Sequence, residues 1–187
     1  MIGSTALMRN SPHKGLPPAA AAQPDDGSNS ERRAADAEMA RVLKTEPTRM
    51  ALDSSGAGIA HWKHDPLHDV VEPMSHHVIM AYNGVMQRIE RRSGKSVAIG
   101  TFRAGAVIII PEGSSSRWDI PKPVDVIQLY LPHAMLERVA READTATPTD
   151  LLERTAHPDP ITSRLLLSAA DALEGSEALD RHHLSRM

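Results

Sequence analysis

The sequence predicts a mainly β domain followed by helices. Three observations carry that expectation. Short apolar or alternating stretches recur between residues 58 and 131 with turn residues between them. All five aromatic residues, Trp62, Tyr82, Phe102, Trp118 and Tyr130, fall in the same span, where large rings build a core or a pocket. Beyond Leu131 the apolar period lengthens from that of a strand to that of a helix.

Residues 1–49 read as a tail. Pro12, Pro17, Pro18 and Pro24, the Ala19–Ala22 run and Asp25-Asp26-Gly27-Ser28-Asn29-Ser30 offer no apolar period, so little burial offsets the entropy of ordering 1–30. Residues 31–44 favour a short helix, with Ala34, Ala37, Ala40, Val42 and Leu43 as a weak stripe and Pro47 as its limit. The folded domain is expected from Met50.

Candidate strands are 58–63, 76–82, 85–92, 96–102, 106–110, 116–120 and 124–131. Ala106–Ile110 is a buried strand fenced by Gly105 and Pro111-Glu112-Gly113, and 116–120 reads as its hairpin partner. Asn83-Gly84 predicts a type I′ hairpin, and Ser93-Gly94-Lys95 a second tight turn. In 124–131, Ile127, Leu129 and Leu131 share one face and Val126, Gln128 and Tyr130 the other, which predicts a central strand. Many short strands at this spacing predict a sandwich or barrel over 50–132.

Residues 133–187 read as a helical layer. Pro132 suits a first helical position, followed by Met135, Leu136, Val139 and Ala140 at helical spacing. Thr147-Pro148-Thr149-Asp150 predicts a short helical turn at Leu151-Leu152. Asp159-Pro160 predicts an N-cap and a helix through Ile161, Leu165, Ala169, Ala172 and Leu173. Gly175-Ser176 is expected to end that helix and cap another, which stops mid-pattern at Met187.

Composition removes several classes. A net charge of −3 over 187 residues, without a long basic run, leaves no electrostatic footprint for nucleic acid. There is no cysteine, so no disulfide framework, thiol nucleophile or cysteine metal site exists, in keeping with a cytoplasmic protein. No apolar stretch has the length of a membrane span, and the N-terminus lacks a signal-peptide pattern.

Gly105, five residues and Pro111-x-Gly113 form the frame of the second cupin motif, and the chain resembles a cupin, a small β-barrel or jelly roll. In metal-binding cupins a ligand histidine sits three residues after the second glycine. Here that residue is Ser116, and no His-x-His pair supplies the first motif. The chain therefore resembles a cupin without its metal, and no cofactor is expected. His76 to Gly84, Gly105 to Trp118 and Asp125-Val126-Ile127-Gln128-Leu129-Tyr130-Leu131-Pro132, with helices after strands, resemble the N-terminal half of AraC/XylS-type transcription regulators over roughly 58–187. The resemblance implies an effector-sensing, dimerising module, truncated before a helix-turn-helix domain of about 100 residues. It implies a small-molecule effector, a homodimer or pairing with a full-length regulator, and no direct binding of DNA or membrane. Two alternatives stay open: a small cupin enzyme, and a stand-alone dimer that interferes with a regulator.

No catalytic constellation emerges. His61, His64, His68, His76 and His77 crowd into 17 positions, but Pro66 and the β context deny them one helical face. Glu72, Glu90 and Glu112 lack paired spacing, and Ser114-Ser115-Ser116 lacks a nucleophile elbow. The candidate ligand-binding residues are therefore Trp62, Tyr82, Trp118 and Tyr130 as an apolar wall, His64 and His77 at a barrel mouth, and Arg103 and Arg117 as carboxylate clamps.

Overall fold

The computed structural model describes residues 32–146 and 151–184. The expected tail over 1–30, the turn at 147–150 and the end at Met187 lie outside the described residues. The strands are β1 (Arg49–Leu52), β2 (Gly58–His64), β3 (Leu67–Val71), β4 (His77–Tyr82), β5 (Gln87–Ser93), β6 (Ser96–Phe102), β7 (Ala106–Ile110), β8 (Ser116–Ile120), β9 (Val124–Leu131) and β10 (Arg154–Pro158). The helices are α1 (Ala35–Leu43), α2 (His133–Glu142) and α3 (Pro160–Leu184).

Two antiparallel sheets face each other, in the orders β1-β2-β9-β4-β7-β10 and β3-β8-β5-β6. The pairs β2 with β9, β3 with β8, β4 with β7 and β5 with β6 are nested, one inside the next. Successive pairs fall in alternate sheets, which is the topology of a jelly roll. The expected class, a cupin-like β-barrel followed by helices, is what forms.

That topology overturns two expected hairpins. Asn83-Gly84 joins β4 to β5, which lie in different sheets, and neither residue takes a positive φ. Likewise β7 and β8 do not pair; the link through Gly113, at φ 71°, carries the chain across the sandwich. A turn signal marks where a chain bends and leaves open which sheet it enters. Ser93-Gly94-Lys95 does close a hairpin, with Ser93 opposite Ser96 and Gly94 at φ 55°.

β9 sits third in the six-stranded sheet, and both faces are covered. Val124, Val126, Gln128 and Tyr130 point between the sheets. Ile127 and half-buried Leu129 point outward, under Leu166, Leu167 and Ala170 of α3. The α3 face on the sheet is thus offset from the expected one; Ile161 and Leu165 are exposed. Asp159 caps this helix, accepting the Thr162 N–H (3.0 Å). The helix runs unbroken past Gly175-Ser176 to Leu184, contrary to the expected break. Leu151-Leu152 forms no helical turn and leads into β10, and Pro132 precedes α2 as its N-cap.

α1 packs into the interior and is no detached element. Its buried face is Ala35, Glu38, Met39 and Val42, with Ala40 and Leu43 packed beside them; of the expected stripe, Ala40, Val42 and Leu43 meet the core, whereas Ala34 and Ala37 are exposed. Lys44, in the left-handed region at φ 54°, ends it before Pro47 is reached. The helix seals the gap beside β3, while β10 lies against β6 and closes the opposite gap.

Candidate ligand-binding site

The interior contains a connected polar line. Trp62 Nε1–H donates to the Tyr130 hydroxyl (2.8 Å), which donates to Gln128 Oε1 (2.8 Å). The Gln128 amide nitrogen lies 3.6 Å from the sulfurs of Met39 and Met80. Burial pushes the Tyr130 phenol up, so it stays neutral. Trp62 and Tyr130 are thus satisfied by each other within the core. The space left between sheets and α1 is a cavity of about 30 Å³, room for roughly one water molecule.

A wide cleft opens at one end of the sandwich. It measures about 830 Å³ and is walled by the β2–β3, β4–β5 and β8–β9 connections and by the C-terminal end of α1. Val42, Leu43, His64, Leu67 and Val124 line both this cleft and the interior cavity, so this throat of side chains stands between the two. The rim is of mixed charge: Lys63 reaches Asp125 at 3.3 Å, and His61 Nε2 lies 2.7 Å from the same carboxylate.

His64 is fixed by its neighbour. Its Nδ1–H donates to the Asp65 carbonyl (2.6 Å), which leaves Nε2 as the ring's acceptor. Burial holds the imidazole below its ordinary value, so it is neutral. Tyr82 stacks on Phe102 with centroids 4.7 Å apart and donates its hydroxyl to the Val85 carbonyl. Gln87 joins two rim connections, donating to the Tyr82 hydroxyl (3.3 Å) and accepting the Lys122 N–H (3.0 Å). Tyr82 therefore shapes the mouth from beneath.

The two expected arginines do not reach the interior. Phe102 and Trp118 point inward, so their neighbours Arg103 and Arg117 point out and are exposed. Arg117 instead shares the outer face with Glu90, Arg92 and Asp119. The inward arginine is Arg91, 1% exposed, with its guanidinium 5.1 Å over the Trp118 ring. Glu153 approaches its Nη2 at 3.0 Å, but no nitrogen of the guanidinium has an aligned hydrogen-bond acceptor among the described residues. A buried donor left so costs roughly 1–3 kcal/mol. Burial lowers the Arg91 pKa, and the Glu153 charge opposes the shift. The signal for Arg91 was present: Gln87, Ile89 and Arg91 share a phase opposite to Arg88, Glu90 and Arg92.

At the far end, His77, Glu112 and His133 offer donor atoms within 4.8 Å of one another. They do not fit a metal. His77 Nδ1 accepts the Glu112 backbone N–H (2.9 Å), so the neutral ring carries its proton on Nε2, the atom facing His133 Nδ1 at 3.5 Å. A metal ligand histidine ordinarily donates from its second nitrogen; here that nitrogen faces a donor. The Glu112 carboxylate is engaged by Arg32 at 3.2 Å. The group braces β4, the β7–β8 crossing and α2. Ser116, in the place of a cupin ligand, accepts the Trp118 indole N–H (3.1 Å).

No protein-family description matches this sequence, and neither does any curated protein. Among solved structures, ethanolamine utilization protein Q from Salmonella typhimurium LT2 matches 44% of this chain and 66% of its own at 17% identity, TM-score 0.36. The EutQ protein of Clostridium difficile matches 45% of this chain and 65% of its own at 13% identity, TM-score 0.36. The AraC-like transcriptional activator CuxR matches 76% of this chain at 14% identity, TM-score 0.40, and the chain spans 54% of its length. At these scores none of those proteins' activities is transferred to this chain. Among the described residues no helix is long and apolar enough to cross a membrane.

Proposed function

We propose that this chain is a small-molecule-sensing and dimerising module without catalytic activity of its own, of the kind its sequence resembles in AraC/XylS-type regulators. The observation that supports it best is the throat: Val42, Leu43, His64, Leu67 and Val124 are all that the shared lining places between a cleft of about 830 Å³ and the apolar interior. Small-molecule sites have volumes of about 300–1,000 Å³, and this cleft has a largely polar outer wall with the apolar interior behind it. Two throat residues belong to α1, so an effector seated there favours one docking of that helix over another. The test is a thermal-shift screen of small metabolites, repeated with Leu43→Trp, which fills the throat. A stabilising compound should bind at least tenfold more weakly to the variant. Equal affinity for both proteins would sink the proposal, as would a broad screen without one stabilising compound.

Dimerisation is proposed through the helical layer. Ile161 and Leu165 lie one turn apart on α3, 74% and 66% exposed, and Val139 of α2 is also exposed. Sedimentation at high micromolar concentration should show a dimer that Leu165→Glu dissociates. A wild-type monomer at that concentration removes this half of the proposal. A small cupin enzyme is the rival, and it predicts stoichiometric metal on purification.

A further inference from the structure

The inward arginine has no part in the cleft just described. On β5 it is flanked in phase by Ile89, and across the strand pair it lies opposite Trp118. A guanidinium presents five donors in a planar fork suited to a carboxylate. Here the fork is buried, charged and provided with one carboxylate, which comes within 3.0 Å of Nη2 without an aligned hydrogen bond. That carboxylate, Glu153, keeps 36% of its side chain in solvent and precedes β10 on an irregular segment. A built structural pair is normally aligned and shielded on both sides. In this one the arginine is held fast by its strand and by the Trp118 face, while the glutamate sits at the end of a short lever.

We infer, on the basis of the ligand-binding function proposed above, that Arg91 is the seat for the carboxylate of a small ligand, and that Glu153 occupies that seat as an exchangeable internal substitute. Trp118 links the seat to the proposed route, because it lies beneath the guanidinium and also lines the interior cavity. A ligand whose carboxylate replaces Glu153 keeps the charge on Arg91 balanced and adds the aligned hydrogen bonds that Glu153 does not make. It also frees the segment leading into β10, which pairs with β7 and is followed by α3. Arrival of the anion is thereby transmitted to the helical layer.

Chemical rescue tests this with the intact chain. Glu153→Ala vacates the seat, and its Tm should fall by about 5 °C, since a buried charge loses its partner. Sodium acetate at tens of millimolar should restore at least half of that fall, and benzoate should do so at lower concentration because its ring can lie beside Trp118. Sodium chloride at equal ionic strength and the neutral amides acetamide and benzamide should not. Arg91→Met in the Glu153→Ala background should abolish the anion response. Rescue by chloride as strong as by acetate, no rescue, or rescue that survives Arg91→Met would each overturn the proposal. If Glu153→Ala does not fold, Glu153→Gln, which keeps the side-chain size, carries the same comparison. The outcome is separable from the throat test: Leu43→Trp reads entry of neutral and charged compounds alike, whereas rescue reads the anion seat alone.

Discussion

Replacing Glu38 by alanine should loosen α1 from the sandwich. The carboxylate is fully buried and accepts from Arg41 Nε (2.9 Å) and Nη2 (2.6 Å), from Arg33 Nη1 (3.2 Å) and from the Glu72 backbone N–H (2.8 Å). Hydrogen bonds to a charged group contribute about 1.5–3 kcal/mol each when their donors cannot find water. Arg33 and Arg41 are more than a third exposed and rehydrate, so their loss counts little. The Glu72 N–H and the emptied space account for most of the cost. Together they give about 2–4 kcal/mol, or a Tm lower by roughly 4–16 °C for a chain of this size. Urea melts supply the free energy, and hydrogen exchange should show the amides of α1 losing protection before those of β9. A change below about 0.5 kcal/mol would refute the clamp, because that is the range of ordinary surface substitutions.

The same carboxylate gives a pH signature. Burial alone would raise its pKa; the Arg41 hydrogen bonds and the Glu72 N–H outweigh that and hold it below the ordinary glutamate value. A lowered folded value means that its contribution is complete above the unfolded pKa, near 4.3, and is lost as pH falls through the folded one. The stability gap between wild type and Glu38→Gln should therefore narrow below roughly pH 4.

Three further substitutions follow. His64 is held neutral by burial, so the unfolded chain binds its proton first; stability should fall as pH drops below about 6.5, and His64→Gln should flatten that slope in urea melts between pH 7.5 and 5.5. Gly100→Val should cost about 2–3 kcal/mol and raise hydrogen exchange over 154–158, because a Cβ there sits 2.6 Å from the Ala156 Cβ and 3.2 Å from the Thr155 carbonyl oxygen. Arg91→Met should leave the urea midpoint unchanged or higher, since an apolar side chain of similar length removes a poorly satisfied charge; a loss above about 2 kcal/mol would show that Arg91 holds the fold together.

Strand positions were legible where the period was clear, and pairing was not. The two-faced apolar run of β9 announced a central strand because only such a strand is covered on both sides. β1, β3 and β10 escaped detection for the complementary reason: β1 and β10 are the ends of one sheet and β3 an end of the other, and their partly wet faces admit Arg49, His68, Asp69 and His157. Nesting is a long-range property. β2 meets β9 with Gly58 opposite Tyr130, and no local turn encodes that register. The site suffered from one specific misreading. An arginine beside an inward aromatic on a strand is, by alternation, an outward arginine, which places Arg103 and Arg117 outside the interior, whereas Arg91 shares the inward phase of Gln87 and Ile89.

The two closures of the sandwich hold their buried charges differently. On one side Glu38 of α1 is surrounded by donors from Arg33, Arg41 and the Glu72 backbone, each within 3.2 Å. On the other side Arg91, just as buried, meets one half-wet carboxylate from the segment before β10 and no aligned acceptor among the described residues. A buried network is stabilising when every member is satisfied and costly when it is not. The first closure thus has its electrostatic demand met within the chain, and an anion gains no hydrogen bond by displacing Glu38 there. The second leaves hydrogen-bonding capacity unused next to the ring that lines the interior cavity, so an incoming anion can strengthen what it displaces. Acetate should accordingly stabilise Glu153→Ala and leave Glu38→Ala no more stable than chloride does, although both variants break an ion pair that has one buried partner.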